Sequence, residues 1–536
     1  MSDHKMQLYK IIQKPWIVWL GGLILLIVLP FALVSVSSEF SNMQLWLSFF
    51  GVCLLGALIL LVSWWVIKTD KEVPTPNWLF WLIVIAVLLR ILAGIFWYRS
   101  LPVMGYGTQP ELRGYVMADA HDRDRAAWRL ARSDQLLFNA FTNRLKADQY
   151  GGMLFFSALI YRYFGGHTHA PLMMIVVTAV VSALAVIFTW AFANRIWSES
   201  VALVASLIVV LLPEAILLGS SQMREAFTMS LAVAALYGLV RYLQSRSWLG
   251  VVVMIGGLVL CALISPPFLV FLLIILVCVA LSLRNWELLR KRWFLFALFA
   301  FIILAGAALW LTWGTFAPEG ISNPIALIGW WLRKSSEWQA YLSERSSGWI
   351  QKIFRSTPGW MHTPFLILYG VVQPFLPAAV ISSGIPIWKS IAIWRALGWT
   401  FLLGFLIYAP IRALRDVRKH RLVLVLSLIV WLIILTASFR GGADEWDNPR
   451  YRAAFLGIQV LLVAWVIVEY WQKRDPWLIR VLIAFGIVIG WFVPWYLRRY
   501  TPLTWPVEDL FKTVGLGVVS AALFIIWDVV RTKKIY

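Results

Sequence analysis

Residues 44–67 read QLWLSFFGVCLLGALILLVSWWVI and contain no charged side chain. A helix needs roughly 20 consecutive, mostly apolar residues to cross a bilayer, so this stretch predicts a transmembrane helix. Similar stretches recur along the whole chain, near 16–37, 44–67, 78–97, 171–193, 200–218, 226–243, 248–264, 267–283, 294–314, 391–411, 422–437, 452–471, 478–496 and 511–531. The pattern predicts an all-α, polytopic bundle of about fourteen transmembrane helices.

The composition supports the same fold class. Of the 536 residues, 61% are hydrophobic and only 14% are charged, whereas a soluble domain carries about 25% charged residues. The formal net charge of +21 could indicate a nucleic-acid partner. However, basic runs such as 290–292 and 415–421 flank apolar segments, as the positive-inside rule expects for a membrane protein. We therefore expect membrane lipids as partners and no nucleic acid.

Two shorter apolar pieces, 153–164 and 365–381, decide which loops share a side. If neither crosses the membrane, both termini and the short basic loops lie together, and the positive-inside rule places them in the cytoplasm. These loops are 68–77, 194–199, 244–247, 284–293, 412–421 and 472–477. If one piece crosses, the sidedness of every later loop inverts. The first piece has only about a dozen residues, and Pro374 and Pro377 interrupt the second. We expect both to be external interfacial or re-entrant helices.

This topology leaves two long external segments, 98–170 and 315–390. Because loops on a rigid scaffold often carry function, we expect the chemistry on the outer face. In the first segment, Asp119, Asp122 and Asp124 fall within six positions. Carboxylates this close repel one another when ionised, so one could act as a base, or they could bind a cation. Alternatively, the stretch is a mixed-charge amphipathic helix lying on the membrane.

Charged residues also occur where the chain is otherwise apolar. In the loop 219–225, Arg224 and Glu225 stand where the chain re-enters apolar surroundings, and a charge there is costly without a partner. They form either part of a site or a snorkelling pair at a helix end. Arg90 lies inside a predicted span, so we expect it to face the interior of the bundle.

The segment 440–452 is the most concentrated external polar cluster. Arg450 and Arg452 lie outside here, against the positive-inside trend. A guanidinium can hold two phosphate oxygens at once, which favours a phosphate-binding role. The alternative is a loop held together by pairs between Asp447 and these arginines.

Taken in order, these clusters resemble the type-C glycosyltransferase superfamily. Its members include the catalytic subunit of oligosaccharyltransferase, the protein O-mannosyltransferases and the bacterial aminoarabinose transferase. The family has a long external loop that opens with a stretch of the type D-A-x-x-Y-x-x-x-A-x-x-L. Here Asp119, Ala120, Ala127 and Leu130 occupy the matching positions, and Arg123 replaces the aromatic residue.

Later elements of the family pattern follow in the same order. Residues 148–152 and 163–165 are similar to the end of the family loop with its aromatic-glycine pair, and 219–225 resembles a second acidic site. Residues 448–452 are similar to an external Arg-Tyr element. The resemblance implies a catalytic membrane domain over 78–471. Residues 1–77 would add two N-terminal transmembrane helices, and 472–536 would form the C-terminal ones.

The resemblance implies an enzyme that transfers a sugar, with inversion, from a polyprenyl-(di)phosphate donor to a glycan, lipid or protein acceptor. It would act at the outer face of a bacterial or archaeal cell membrane. Asp119 would be the general base, with a pKa raised by its membrane-facing groove. The other implied site residues are Asp122, Asp124 and Glu225 for orienting the acceptor, and Arg224, Arg450, Tyr451 and Arg452 for the donor phosphate. Asp119 and Glu225 could also ligate a divalent cation, Mg²⁺ or Mn²⁺, that neutralises the leaving phosphate.

Two other functions compete with this one. A polysaccharide polymerase or ligase also joins lipid-linked glycans externally, but such enzymes rely on external arginines rather than an early acidic cluster. A transporter or flippase would favour inverted repeats and polar residues near the midplane. The sequence shows no clear repeat, and its polar clusters lie at the ends of spans.

Overall fold

The computed structural model describes residues 15–37, 40–142, 148–283, 320–345, 348–381, 383–442, 444 and 446–535. Within these ranges the regular secondary structure is entirely helical. The all-α prediction is therefore confirmed for the described chain.

The helices are numbered here in chain order. The first thirteen are α1 (Pro15–Ser37), α2 (Met43–Lys68), α3 (Asn77–Met104), α4 (Gln109–Leu112), α5 (Ala118–Arg132), α6 (Asn139–Thr142), α7 (Gly152–Tyr163), α8 (Leu172–Ile196), α9 (Glu199–Leu211), α10 (Pro213–Gly219), α11 (Arg224–Ser245), α12 (Trp248–Ile264) and α13 (Pro266–Ser282). The later helices are α14 (Pro324–Arg345), α15 (Gly348–Ser356), α16 (Gly359–Val372), α17 (Leu376–Ile381), α18 (Pro386–Leu414), α19 (Arg421–Gly441), α20 (Asp447–Ala453), α21 (Leu456–Lys473), α22 (Pro476–Leu497) and α23 (Leu510–Ile535).

Eight of the described helices are long and apolar enough to cross a membrane, namely α2, α3, α8, α11, α18, α19, α22 and α23. Two bent pairs, α9–α10 and α20–α21, would raise this number to ten. Shorter apolar helical segments lie at Ile24–Ser37, Trp248–Ile264 and Pro266–Ser282, and the predicted span 294–314 lies outside the described residues. The chain is an integral multi-pass membrane protein, but the predicted count of fourteen spans is not confirmed.

Helix α8 forms the centre of the bundle. It packs against α2, α3, α9 and α11, and nearly all of its side chains are buried. Small residues, including Ala179, Ala183, Ala191 and Ala193, let neighbouring helices approach closely, as is common inside membranes. Helices α3, α9 and α11 therefore hold fixed positions around α8. Helices α3 and α9 end, and α11 begins, at the same end of the bundle.

The bend between α9 and α10 has a clear cause. Pro213 has no backbone N–H, so the carbonyl of Val209, four residues earlier, loses its helical donor. The Arg90 side chain donates to this carbonyl at 3.2 Å and to Ser182 Oγ at 2.7 Å. Arg90 is fully buried, so the prediction that it faces the bundle interior is confirmed. The two helices bend by 56°, and α10 then leads into the short loop before Arg224, the first residue of α11.

Five of the six short basic loops meet at one end of the bundle, and the sixth lies outside the described residues. Asp70, in the loop after α2, accepts two hydrogen bonds from Arg195 and one from Tyr237. This buried network fastens the N-terminal helices to α8 and α11. Arg412 bonds Glu469 at 2.8 Å in a second network of the same kind.

The two short apolar pieces that were predicted to stay outside form short helices. α7 has twelve residues and packs on α5. The second piece is divided into α16 and α17 by a break at Gln373–Phe375, which includes Pro374. The predicted break is present because proline cannot continue a regular helix.

Candidate functional site

Asp119 stands in the first turn of α5, at the end of the bundle opposite the basic loops. A carboxylate is favourable there because the N-terminal end of a helix carries partial positive charge. The apolar face of α5, which includes Ala120, Ala127 and Leu130, is buried against the bundle. The packing of this face holds the helix start in place while leaving about half of the Asp119 side chain exposed.

Arg450 joins this acid to two other carboxylates. Its Nη2 lies 3.0 Å from Asp119 Oδ2, its Nη1 lies 3.1 Å from Asp447 Oδ1, and its Nε lies 3.5 Å from Glu225 Oε1. Asp119 and Arg450 are separated by 331 positions in the chain. The structure therefore brings together the early acid, the acid at the start of α11 and the arginine of the C-terminal third.

The position of Arg450 on helix α20 depends on hydrogen bonds that fix the start of this helix. Asn448 donates from Nδ2 to the carbonyls of Gly370 and Gly442, at 3.0 and 2.7 Å. A Cβ added at Gly441 would lie 2.7 Å from the Asn448 backbone, so only glycine allows this approach. The turn thus fixes the start of α20 and the direction of its side chains.

A second group of charges lies beside the first. Asp148 Oδ1 lies 3.9 Å from both Arg123 Nε and Arg224 Nη1. Arg123 also donates to the carbonyl of Gln222 at 3.0 Å, and the Arg224 guanidinium lies over the ring of Tyr150. Coulombic interactions of Arg123 and Arg224 with Asp119 join the two groups into one cluster.

The position of Asp148 depends on the turn that follows it. Its Oδ2 accepts a hydrogen bond from the backbone N–H of Leu154 at 2.9 Å. Gly151 has φ of +80°, a conformation that glycine adopts at little cost. A Cβ at Gly152 would lie 1.9 Å from the carbonyl oxygen of Leu263. The glycine pair lets α7 begin directly against the end of α12, with Asp148 turned toward the arginines.

Several buried polar atoms in this cluster have no hydrogen-bond partner among the described residues. They are Arg123 Nε, Asp148 Oδ1, Arg224 Nη1, Glu225 Oε2 and Arg450 Nε. Buried polar atoms are nearly always hydrogen-bonded in folded proteins. A concentration of free donors and acceptors on neighbouring side chains is typical of a site that binds a polar ligand.

The pKa of Asp119 differs from the prediction. Burial alone would raise the pKa of this carboxyl, but Arg450, with Arg123 and Arg224 further away, lowers it below its ordinary value of 3.8. The prediction of a raised pKa was wrong because the sequence did not reveal that an arginine contacts the acid. Asp119 is therefore ionised at neutral pH.

Asp124 does not share this cluster, although it lies on the same helix. It accepts hydrogen bonds from Tyr115 Oη at 2.5 Å and Tyr161 Oη at 2.6 Å, and its Oδ2 lies 2.7 Å from His169 Nε2. Burial, together with the Asp124 carboxylate, raises the pKa of both tyrosines well above the ordinary value, so both keep their protons and donate. Asp124 is almost fully buried. It joins α5 to α7 and faces away from Arg450.

Three other expected site residues also lie apart from the Arg450 cluster or at its edge. Asp122 is 67% exposed and contacts its neighbour His121. Arg452 is buried over the ring of Trp399 and donates to the carbonyl of Gln373, because side chains two positions apart on a helix do not face the same way. Tyr451 lies between the two arginines on α20 and is partly exposed.

A divalent cation between Asp119 and Glu225 does not fit this arrangement. Both carboxylates contact Arg450, whose guanidinium already supplies a positive charge between them. In the part of the chain that the structure describes, no group of three or more His, Cys, Asp or Glu side chains is arranged to hold a metal ion. The two predicted ligands are bridged by an arginine instead.

The sequence reasoning did not include Arg123 and Asp148 among the site residues. Arg123 stood only as a departure from the family pattern. Asp148 is only the first residue of the segment 148–152, which resembles the end of the family loop. Their proximity depends on how α5 and the start of α7 pack, which no local spacing reveals. A usable signal was the pairing of an unexpected arginine with an isolated acid inside one external segment.

Comparisons with known proteins give distant similarities. No family model and no curated protein matches the sequence. Among solved structures, the archaeal oligosaccharyltransferase AglB from Archaeoglobus fulgidus, in complex with an inhibitory peptide and a dolichol-phosphate, is 13% identical with a TM-score of 0.36. That similarity covers 83% of this chain and 56% of AglB, so the chain spans little more than half the length of that enzyme.

A second solved structure is ArnT from Cupriavidus metallidurans in the apo state, 13% identical with a TM-score of 0.30. The similarity covers 81% of this chain and 84% of ArnT.

Proposed function

We propose that this protein is a membrane glycosyltransferase that moves a sugar from a polyprenyl-(di)phosphate donor to an acceptor. The observation that carries the proposal is the contact of Arg450 with Asp119, at 3.0 Å, beside Glu225. A carboxylate that can accept a proton thus lies next to guanidinium groups that can hold a phosphate. In glycosyl transfer from a phosphate donor, the carboxylate can take the proton of the acceptor and the guanidinium groups can stabilise the leaving phosphate.

Asp119 is the proposed general base. An acceptor hydroxyl would attack the anomeric carbon while its proton passes to Asp119 Oδ. The new carbon–oxygen bond forms as the bond from the anomeric carbon to the donor phosphate oxygen breaks, and the phosphate leaves with the bonding electron pair. Attack from the face opposite the leaving group inverts the anomeric centre. Asp119 suits this role because it is ionised and its side chain is 53% exposed.

Arg224 and Arg450 are the proposed ligands of the donor phosphate. Arg224 is only 19% exposed, and one of its guanidinium nitrogens has no hydrogen-bond partner among the described residues. A phosphate beside Arg224 would accept from this donor and balance the charges of Arg123 and Arg224. Glu225, with one unbonded carboxylate oxygen, would orient the acceptor hydroxyl. Charge-assisted hydrogen bonds of this kind are shorter and stronger than neutral ones.

The proposed site lies on the outer face of the membrane, and both termini lie in the cytoplasm. The short basic loops collect at the opposite end of the bundle, and the positive-inside rule assigns such loops to the cytoplasmic side. A donor with a polyprenyl tail would reach the site from the outer leaflet. The proposed acceptors are a glycan, a lipid or a protein at the outer surface of a bacterial or archaeal cell.

A direct test uses the full chain in proteoliposomes with a panel of radiolabelled polyprenyl-phosphate-sugar and polyprenyl-diphosphate-sugar donors. Release or transfer of the sugar by the wild-type protein, and its loss in Asp119→Asn, would support the proposal. Turnover of none of these donors by correctly folded protein would overturn it. Retention of full turnover in Asp119→Asn would remove Asp119 from the role of base.

A further inference from the structure

A cavity lies at the end of the bundle opposite the proposed glycosyl-transfer site. Its volume is about 570 Å³. It opens between the ends of five helices, α8, α9, α13, α19 and α21. The loop before α19 closes one side of it with Arg418, Lys419 and His420. None of these residues belongs to the proposed transfer site.

The cavity carries an excess of positive charge. Its basic lining residues are Arg418, Lys419, Arg421 and Lys473, and Glu469 is the one carboxylate among its described lining residues. Glu469 Oε1 is already engaged, because it accepts from Lys473 Nζ at 2.6 Å and from Arg412 Nη2 at 2.8 Å. Within the described chain, the side chains of Arg418, Lys419 and Arg421 make no ion pair. The cavity therefore favours an anion.

His420 provides a second, independent feature. Its side chain is 7% exposed, and its Nε2 is buried with no hydrogen-bond partner among the described residues, 3.8 Å from Glu469 Oε1. The imidazole ring packs edge-on against Trp465 at 5.0 Å. A buried ring nitrogen on the wall of a basic cavity can hydrogen-bond to an oxygen of a bound phosphate.

The remaining wall of the cavity is mostly apolar, with Ser198, Ser282 and Gln472 as its polar side chains. It includes Ile196, Val201, Leu283, Leu422 and Val468, with Trp197 beside them. Tryptophan is enriched where a membrane protein meets the headgroup region. A free inorganic phosphate would leave this apolar surface uncovered, whereas a phospholipid would cover it with the upper part of an acyl chain.

We propose that this cavity binds an anionic phospholipid, with its phosphate at Arg418, Lys419 and Arg421 and a hydrogen bond from His420. Basic pockets between transmembrane helices on the cytoplasmic side bind anionic headgroups by this combination of charge and apolar contact. The phospholipid would come from the leaflet next to the basic loops.

The test measures binding of fluorescent phosphatidylglycerol to the full chain in neutral detergent, with fluorescent phosphatidylcholine as the neutral comparison. The wild-type protein should prefer phosphatidylglycerol by at least roughly tenfold. Unlabelled phosphatidylglycerol should displace the probe, and inorganic phosphate at the same concentration should not. Displacement by inorganic phosphate alone would assign the cavity to a free phosphate and overturn the lipid proposal.

Two matched triple variants test the location. Arg418→Gln, Lys419→Gln and Arg421→Gln together should reduce the preference for phosphatidylglycerol by roughly tenfold or more. The control, Lys71→Gln with Arg246→Gln and Arg474→Gln, removes three exposed cations from the same end of the bundle, and none of them lines the cavity. Equal losses in both triple variants would show general surface attraction and overturn the proposal.

His420→Phe gives a milder variant if the triple one does not fold. It keeps a ring against Trp465 and removes both ring nitrogens. Binding of phosphatidylglycerol should weaken by about threefold to tenfold, the range for one hydrogen bond, while the thermal unfolding midpoint without lipid stays near that of the wild type. Unchanged binding in His420→Phe would remove the imidazole from the site.

Discussion

Two acids on the same helix, Asp119 and Asp124, have opposite surroundings. Asp119 is half exposed and contacts a guanidinium, while Asp124 is buried among two tyrosine hydroxyls and a histidine. The first arrangement leaves a carboxylate accessible to a ligand. The second engages both carboxylate oxygens of Asp124, and its bond to Tyr161 joins α5 to α7. Acids that lie close together in a sequence can therefore have different roles: one can be accessible to a ligand while another only stabilises the packing of helices.

The largest expected effect is on catalysis by Asp119→Asn. The amide cannot accept a proton, so transfer from a polyprenyl-phosphate-sugar should fall by about a thousandfold, within the range for loss of a general base. Donor binding and the thermal unfolding midpoint should change little, because the side chain is half exposed. A loss of transfer of less than about threefold would contradict the assignment of Asp119 as the general base.

The next largest effect is expected at Arg450. Arg450→Gln removes the charge that joins Asp119, Asp447 and Glu225, so transfer should fall by about a hundredfold. Arg450→Lys keeps the charge but loses the planar fork, and should have an intermediate rate. Arg125→Gln, at an exposed position on α5, is the control and should behave as the wild type. Equal rates for Arg450→Gln and Arg125→Gln would contradict the role of Arg450.

Asp124→Asn should mainly affect stability. In the wild type, the hydroxyls of Tyr115 and Tyr161 each donate to a separate oxygen of the Asp124 carboxylate. The amide of Asn has only one acceptor oxygen, so the folded state should lose about 2 kcal/mol, a typical value for hydrogen bonds to a charged group. The thermal unfolding midpoint should drop by several degrees, while turnover per folded molecule stays within about threefold of the wild type. Lost turnover at unchanged stability would instead make Asp124 catalytic.

The pH dependence of kcat/KM should show the effect of the contact between Asp119 and Arg450. Because the pKa of Asp119 is lowered, its active, ionised form persists down to pH values below its ordinary 3.8. The acid limb of kcat/KM from this group should therefore lie below that value in the wild type. In Arg450→Gln, burial is no longer opposed by the nearest cation, so the limb should move to higher pH. A wild-type limb near about pH 6 would contradict a lowered pKa.

The smallest effect is expected for Asp122→Asn, which makes the same change three positions after Asp119. Its carboxylate is two-thirds exposed and contacts only its neighbour His121 among the described residues. Surface substitutions of this kind usually change stability by less than about 0.5 kcal/mol. Transfer and unfolding should both match the wild type. A marked loss of transfer would place Asp122 in the site after all.

The sequence predicted the parts of the fold that depend on local composition. The apolar run near 171–193 corresponds to α8, and the piece 153–164 corresponds to α7. The burial of Arg90 followed from the cost of a charge in lipid. The number of spans did not follow, since bent pairs and short apolar helices satisfy a hydropathy window without the length of one continuous helix.

The site could be predicted only in part. Asp119, Glu225 and Arg450 were identified separately, and the structure brings them together. The burial of Asp124 could not be predicted because its partners, Tyr115, Tyr161 and His169, come from three separate positions along the chain. Arg452 was a different case. Its separation from Arg450 by two positions already implies another helix face, so helical phase alone could have excluded it.

The most direct test of the account is a double-mutant cycle on sugar transfer. Turnover of a polyprenyl-phosphate-sugar is measured for the wild type, Asp119→Asn, Arg450→Gln and the double variant. Residues that act as one unit give strongly non-additive losses. We predict that the double variant is no slower than Asp119→Asn by more than about threefold. A double loss equal to the product of the two single losses would show that the two residues act independently, and would contradict the account.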